Sequence, residues 1–352
     1  MRPAFFPLSF SVIIPARNAE KTIAACLMAM SHSSIQPREV ILVDDVSSDQ
    51  TANIARQFGV KVIQIDSQTG PMEPRFAGAD QATGDILVFV DSDVRIHAGT
   101  FELALRHFQN PDVAAVTGLL SRHGNDINFP TAYKNEYMNY IFRRRGPEVD
   151  FVYGSLWAVR RTAMIRFSPI TRPFGSLVSD SEMGFHLRRA GGKIILDRTL
   201  EVDHLKIYSL HSLIMNDFKI PFMFARMFCC YGQFRKIPRS FSHVAIGQVF
   251  AACSAFAALL FAFAAVCFKS PAFTTAAAAC LGAYLVAWRQ FFIQIKDRGM
   301  FFLLQSAAFG LIDAIVMMSG MVSGFLHVII SGKLKYSTME NPSLKWTFQN
   351  AG

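Results

Sequence analysis

The sequence predicts an α/β domain with a mostly parallel sheet, followed by a set of long apolar helices. Three observations predict it. Strand-like and helix-like segments alternate over residues 10–90, the charged residues crowd into the N-terminal two thirds, and three long apolar runs fill residues 244–330. The chain has 352 residues, 51% hydrophobic and 17% charged, with a net charge of +9, whereas soluble domains average about 25% charged. The low charge is not evenly spread. Residues 244–330 carry only Lys269, Arg289, Lys296, Asp297, Arg298 and Asp313, whereas the first 243 residues hold 51 of the 61 charges, about 21%. Such a composition, with 33 phenylalanines, excludes a disordered or acidic chain.

The elements of the first domain follow in order. Residues 10–14 (FSVII) form a short apolar strand that stops at Pro15, and residues 19–30 place Ile23, Cys26, Leu27 and Met30 at helical spacing. Residues 39–43 (EVILV) read as a buried strand ending at Asp44-Asp45, and residues 48–58 as a helix stopped by Gly59. A strand over 60–65, a helix over 75–82 and the strand DILVFV over 85–90 complete the series. Strands alternating with helices predict a parallel sheet covered on both faces. Ligands of such sheets bind at the carboxyl ends of the strands. The chain sets its polar residues there: Ala16-Arg17-Asn18, Asp44-Asp45 and Asp91-Ser92-Asp93.

The three apolar runs, 244–268, 271–292 and 301–330, each pass the length of about 18 residues that a bilayer demands. Gly310, Ser319, Gly320, Ser323 and Gly324 in the third run allow close helix contact. Asp313 in the same run is costly in lipid and marks a functional candidate or a buried partner. Arg235, Lys236 and Arg239 before the first run, and Arg289, Lys296 and Arg298 between the second and third, place both loops in the cytoplasm. Lys333, Lys335 and Lys345 in the tail conflict with three simple crossings. Residues 205–240 mix Leu and Phe with Lys206, His211, Lys219 and Arg226, the composition of helices lying in a membrane interface, and Pro221 is expected to break them into two. Residues 1–15 lack a signal-peptide core. The six cysteines match no zinc or disulfide spacing and read as reduced apolar fillers. No nucleic-acid motif accompanies the basic balance, so no nucleic-acid partner is expected.

The chemistry concentrates at Asp91 and Asp93. Two carboxylates at i and i+2, leaving a buried strand, repel each other unless a cation lies between them. Oxygen ligands of this kind suit Mg2+ or Mn2+ bridging to a diphosphate. Ser179-Asp180-Ser181-Glu182 reads first as a capping box before a helix that Gly191 ends. Gly154 and Ser155 suit a close approach of backbone to ligand, with an ordinary turn as the alternative. Arg143-Arg144-Arg145 suits either a phosphate group or a solvated loop.

Five segments in sequence, VIIPARNAEKTI, VILVDDVSSDQTANIA, GPMEPRFAGADQATGDILVFVDSDV, GSLWAVRRTAM and SDSEMGFHLRRAGGKI, resemble the family 2 glycosyltransferases of GT-A fold over residues 9–205. The apolar helices are arranged like those of the polyprenyl-phosphate and lipid glycosyltransferases of that family. The resemblance implies that Pro15, Ala16 and Asn18 meet the nucleotide, that Asp44 and Asp45 hold base and ribose, and that Arg75 and Ser92 lie beside the donor with Gly154. It implies that Asp91 and Asp93 serve the metal and diphosphate, with His204 near the metal, and that Asp180 is the general base. The residue before Asp180 is Ser179, where the family has glutamate. The Gln-x-x-Arg-Trp motif of processive synthases is missing after residue 205, which argues against a polymerase.

The expected protein is thus a catalytic domain over 1–205, interfacial helices over 206–243, about three transmembrane segments over 244–332 and a tail over 333–352. Its expected activity is inverting, metal-dependent hexosyl transfer from a UDP- or GDP-sugar to a lipid acceptor, at the inner membrane with the catalytic domain cytoplasmic. The alternatives are transfer to a non-lipid acceptor in surface polysaccharide assembly and a non-catalytic membrane scaffold. A nucleotidyltransferase is disfavoured because no glycine-rich loop follows the first strand.

Overall fold

The computed structural model describes residues 8–69, 72–167, 179–230 and 246–331. The chain divides into two compact units. Among the described residues, the first comprises those up to Asp126 together with Phe142–Ile207, and the second comprises Ile127–Ile141 and those from Tyr208 to Ser331.

The first unit is built on a mixed sheet. Its strands are β1 (Phe10–Ala16), β2 (Glu39–Asp44), β3 (Lys61–Gln64), β4 (Ile86–Val90), β5 (Val94–Arg95), β6 (Val113–Leu120), β7 (Glu148–Val149), β8 (Leu156–Arg160) and β9 (Lys193–His204). They lie in the order β3-β2-β1-β4-β8-β6-β9-β5, with β7 pairing β9. β3, β2, β1 and β4 are mutually parallel, and β6 is parallel to β9. β8 runs antiparallel between β4 and β6. Val12, Ile13, Ile14, Ile41, Leu42, Val43 and all of β4 are buried, as strands covered on both faces require.

The expected helices are all present as α1 (Ile23–Ser31), α2 (Thr51–Gln57) and α3 (Met72–Gln81). Their ends, and those of the strands, shift by up to four residues. β1 does not stop at Pro15 but continues to Ala16, opposite Asp44 of β2. The missing N–H is tolerated because β4 pairs β1 only as far as Ile13. β9 carries an irregularity: Thr117 pairs Leu196, yet Leu119 pairs Glu201. The extruded residues are closed by Asp197, whose Oδ1 accepts the amide and hydroxyl of Thr199 at 2.8 and 2.6 Å. Gly118 lies beneath, where a Cβ would stand 2.5 Å from the Leu200 carbonyl.

The second unit is helical. It contains α5 (Phe129–Arg143) through Ile141, α8 (Leu210–Cys230), α9 (Ile246–Phe268), α10 (Pro271–Ile295) and α11 (Met300–Ser331). The stretches Gly247–Phe268, Pro271–Arg298 and Met300–Ser331 are long and apolar enough to cross a membrane. Pro221 does not divide α8, which is one 21-residue helix. Packing along α11 offsets the lost backbone bond. Gly320 and Gly324 let the carbonyls of Phe218 and Phe222 approach to 2.2 and 2.4 Å of where a Cβ would stand. Arg298, read as a loop charge, donates to the fully buried Glu136 at 2.5 Å. Arg235, Lys236, Arg239, Lys333, Lys335 and Lys345 lie outside the described residues.

Candidate active site

The sheet register brings the predicted residues of the first unit to one end. β1, β2 and β4 finish at Ala16, Asp44 and Val90, so residues 15–18, 44–45 and 91–93 emerge from the carboxyl ends of adjacent strands. The antiparallel β8 adds a further segment, because the Asp91 amide donates to the Ser155 carbonyl at 3.2 Å. Gly154 is thereby set beside Asp91. A Cβ built on Gly154 would stand 3.5 Å from Arg75 Nη2, 3.5 Å from Asp180 Oδ2 and 3.6 Å from Asp91 Oδ2. One backbone position thus touches three charged groups that are far apart in sequence.

Arg75 is buried on α3 and its guanidinium pairs with the Asp91 carboxylate and donates to the Gly154 carbonyl at 3.2 Å. Asp180, in the first turn of α7 (Ser179–Arg189), accepts the Gly154 amide on Oδ2 at 3.0 Å and the Ser181 amide on Oδ1 at 2.8 Å. It serves its own helix terminus and the crevice together, so the capping reading and the site reading of Asp180 are compatible. The side chain of Ser179 lies outside the described set.

Asp93 is reached from β9. β5, directly after Asp93, pairs antiparallel with the end of β9, Val94 opposite His204 and Arg95 opposite Asp203. The Leu205 amide donates to the Asp93 carbonyl at 2.7 Å, and His204 Nε2 lies 3.4 Å from Asp93 Oδ2. Asp203 points the other way. Its Oδ2 accepts Arg95 Nε and Nη2 at 3.0 and 2.8 Å, and its Oδ1 accepts the Ser121 hydroxyl. This buckle was missed in the sequence, where Asp203 is only the neighbour of His204.

Burial pushes the Asp91 carboxyl up to about 6, with Asp93 adding to the rise and Arg75 opposing it. Asp93 moves the other way: burial alone would raise it, but the adjacent His204, with Lys206, holds it below the usual range. Burial raises Asp180 as well, against the amides of Ser181 and Gly154 and the charge of Arg75. Two neighbouring carboxyls are thus pushed apart in proton affinity, as in sites that carry chemistry.

The remaining predicted residues lie around the ends of β1 and β2. Ala16 accepts the Asp45 amide at 2.8 Å. Asn18 takes a left-handed backbone with φ of 49°. Its amide donates to Ser47 Oγ, and its Oδ1 accepts the Ser48 amide, both at 2.9 Å. Asp44 and Asp45 are buried; Asp44 Oδ1 accepts the Ser47 amide at 3.3 Å and Asp45 Oδ1 accepts the Thr69 amide at 3.0 Å. Val46 has φ of 56°, rare for a β-branched residue. Pro15 is buried, and Ser92 is half-buried between the two aspartates. Of the basic run, Arg143, exposed at the end of α5, pairs with Glu201, and Arg145 is buried.

Residues 11–167 match the family model described as glycosyl transferase family 2. Over this span the chain is similar to the family 2 glycosyltransferases. Its curated relatives include a 4,4'-diaponeurosporenoate glycosyltransferase of Staphylococcus haemolyticus, 40% identical over 95 residues, which are 25% of this chain and 25% of that protein. The poly(ribitol-phosphate) beta-N-acetylglucosaminyltransferase TarS of Staphylococcus aureus is 36% identical over 182 residues, 47% of this chain and 30% of that protein. The chain therefore spans about a third or less of these two relatives. A solved mannosyltransferase from Pyrobaculum calidifontis superposes with a TM-score of 0.56 at 16% identity, covering 93% of this chain and 88% of that one. The N-terminal unit thus has the GT-A fold expected from its motifs.

The acidic crevice of this domain has donor chemistry suited to Mg2+ or Mn2+. Among the described residues no group of three or more His, Cys, Asp or Glu is gathered closely enough to enclose a metal. Asp91 and Asp93 offer two carboxylates, with the His204 imidazole beside Asp93; two carboxylates suit an ion that takes further oxygen ligands from a bound diphosphate.

Proposed function

We propose that this chain is a membrane-bound, inverting glycosyltransferase that transfers a hexose from a UDP- or GDP-sugar to a lipid acceptor, a polyprenyl phosphate or glycolipid. The observation that carries the proposal is the convergence of Asp91, Arg75 and Asp180 on Gly154, in a chain with three helices long and apolar enough to cross a membrane. In this reading Pro15, Ala16, Asn18, Asp44 and Asp45 bind the nucleotide, and Arg75, Ser92 and Gly154 line the place of the diphosphate and sugar. Asp91, Asp93 and His204 would hold Mn2+ or Mg2+, which when bound offsets the charge of the departing diphosphate. The catalytic domain lies on the cytoplasmic side of the inner membrane, with residues 206–243 at the interface.

In the transfer, the acceptor oxygen attacks the anomeric carbon from the face opposite the diphosphate. The new C–O bond forms as the old one breaks, and its electron pair leaves with the diphosphate. Asp180 takes the hydroxyl proton, a role its raised proton affinity supports. Arg75 supplies positive charge beside the leaving group. A phosphate acceptor needs no base. Asp180 then orients the acceptor, a reading favoured by the two backbone amides that engage its two oxygens.

The test incubates purified full-length protein with Mn2+ or Mg2+ and a panel of UDP- and GDP-sugars, reading nucleotide release with and without membrane lipid extract. Lipid should stimulate release, and Asp91→Asn or Asp93→Asn should abolish it. Asp180→Asn should bind donor normally yet transfer slowly. Unchanged turnover in the Asp91 and Asp93 variants would overturn the mechanism, and lipid-independent release would overturn the acceptor.

A further inference from the structure

The second unit encloses a charged cluster that sugar transfer does not use. Lys134 on α5 and Asp217 on α8 form an ion pair with side chains only 8% and 4% exposed. Asn216 Nδ2 also donates to Asp217 Oδ1, at 3.0 Å. From α11, Asp313 is 1% exposed, and its Oδ2 accepts the Tyr133 hydroxyl at 3.3 Å. Tyr133 and Lys134, consecutive on α5, thus reach Asp313 of α11 and Asp217 of α8 from one turn. The titratable groups facing them are Tyr133, Lys134 and Tyr137 from α5 and Tyr284 from α10. Gly310 makes room for the hydroxyls, since a Cβ there would lie 2.8 Å from the Tyr284 hydroxyl and 3.3 Å from that of Tyr133.

The charges do not balance. One ammonium faces two carboxylates, and the tyrosines are neutral when protonated. An unpaired charge buried among helices is costly. The two oxygens that lack any donor are Asp217 Oδ2 and Asp313 Oδ1, one on each carboxyl. A hydrogen placed between the carboxyls neutralises the excess charge and lets one carboxyl donate to the other.

We propose that Asp217 and Asp313 hold one shared proton at the centre of the helical unit, and that this proton fastens α11 to α8 and α5. The site is a proton-binding site distinct from the sugar-transfer crevice. In its neutral form Asp313 hydrogen-bonds to Asp217, whose charge Lys134 balances. When the proton leaves, two carboxylates face each other across the α8–α11 contact that Gly320 and Gly324 make close, and the helices part.

The test is infrared spectroscopy of the full-length protein in detergent, in an Asp91→Asn/Asp180→Asn background that removes two crevice carboxyls. At neutral pH the protein should show the carbonyl stretch of a protonated carboxyl, shifted in D2O. Asp313→Asn should remove that band and leave the thermal midpoint near that of the parent, because the amide can donate the same hydrogen bond. Asp217→Asn should also remove it, by leaving Asp313 as the partner of Lys134. In the parent alone, raising the pH should bleach the band and lower the midpoint together. A parent with no such band, a band that survives both substitutions, or bleaching with no change in midpoint would each overturn the proposal. Stabilisation by added sodium in a protein without the band would assign the site to a metal cation and overturn it equally.

Discussion

Gly184→Ala tests how the second half of the crevice is held. Gly184 lies four residues after Asp180 on α7, so both face the same way. Asp180 reaches the amide of Gly154, while Gly184 packs against the backbone just before it. A Cβ at Gly184 would stand 2.3 Å from Phe151 Cα, 2.7 Å from its carbonyl carbon and 2.8 Å from the Val152 amide. These are backbone atoms and cannot swing aside. Restoring an ordinary contact of 3.4 Å needs a shift of about 1.1 Å. The same shift would stretch the 3.0 Å bond between Gly154 and Asp180 to roughly 4 Å, beyond hydrogen-bonding range. Overpacking of this kind costs about 1–3 kcal/mol of stability. A displacement near 1 Å at a reacting group lowers turnover by about 100-fold. The assay is nucleotide release by the full-length variant with the donor that the panel identifies, beside thermal unfolding. Gly191→Ala is the control. Gly191 has φ of +90° and no atom within 4 Å of a built Cβ, so alanine there strains the backbone by about 1–2 kcal/mol and should spare the rate. A folded Gly184→Ala protein with wild-type turnover would refute the reasoning.

Three further outcomes follow from the geometry. Because the Asp91 carboxyl titrates at about 6 in the folded protein, above its ordinary value near 3.9, protons should displace Mn2+ as pH falls through 6. The metal-free protein should instead lose stability from this group as pH rises through the same value, and metal titrations and unfolding scans that share one pH trend would contradict this. Val46→Gly should stabilise by about 1 kcal/mol, because glycine adopts the 56° φ without the strain that an L side chain meets there; a lower midpoint would show that the Val46 side chain outweighs the strain. Arg298→Met should destabilise by about 3–5 kcal/mol, since Glu136 is fully buried and loses the charge that offsets its own; a loss below about 1 kcal/mol, read by unfolding in detergent, would contradict that pairing.

The strands that carry the crevice were legible because they are short apolar runs that end in polar residues. FSVII, EVILV and DILVFV announce both the sheet and its carboxyl ends. Asp91 and Asp93 follow from their place after a buried strand. Arg75 was placed near the nucleotide only by resemblance, and its pairing with Asp91 rests on a fold-level contact that no local pattern reveals. α5 was not legible at all. Lys134, Asn135, Glu136 and Asn139 look like a solvated face, yet all four are buried. Lys134 and Glu136 find partners at Asp217, Gln294 and Arg298, 83 to 162 residues away. Pro221 misled for the converse reason: local propensity breaks a helix there, and packing against α11 keeps it whole.

The irregularity in β9 has a consequence for how the domain tolerates changes in length. Residues 197–200 leave the pairing with β6, so the ladder with β6 does not fix the length of that stretch. Between Glu201 and His204 the strand is in register again, and its faces alternate: His204 looks to Asp93, Asp203 to Arg95 and Ser121. A single-residue insertion in that short stretch would exchange the two faces, turning the imidazole away from the crevice and aiming a carboxylate at Asp93. Insertions and deletions in related chains should therefore collect before residue 201 and stop there.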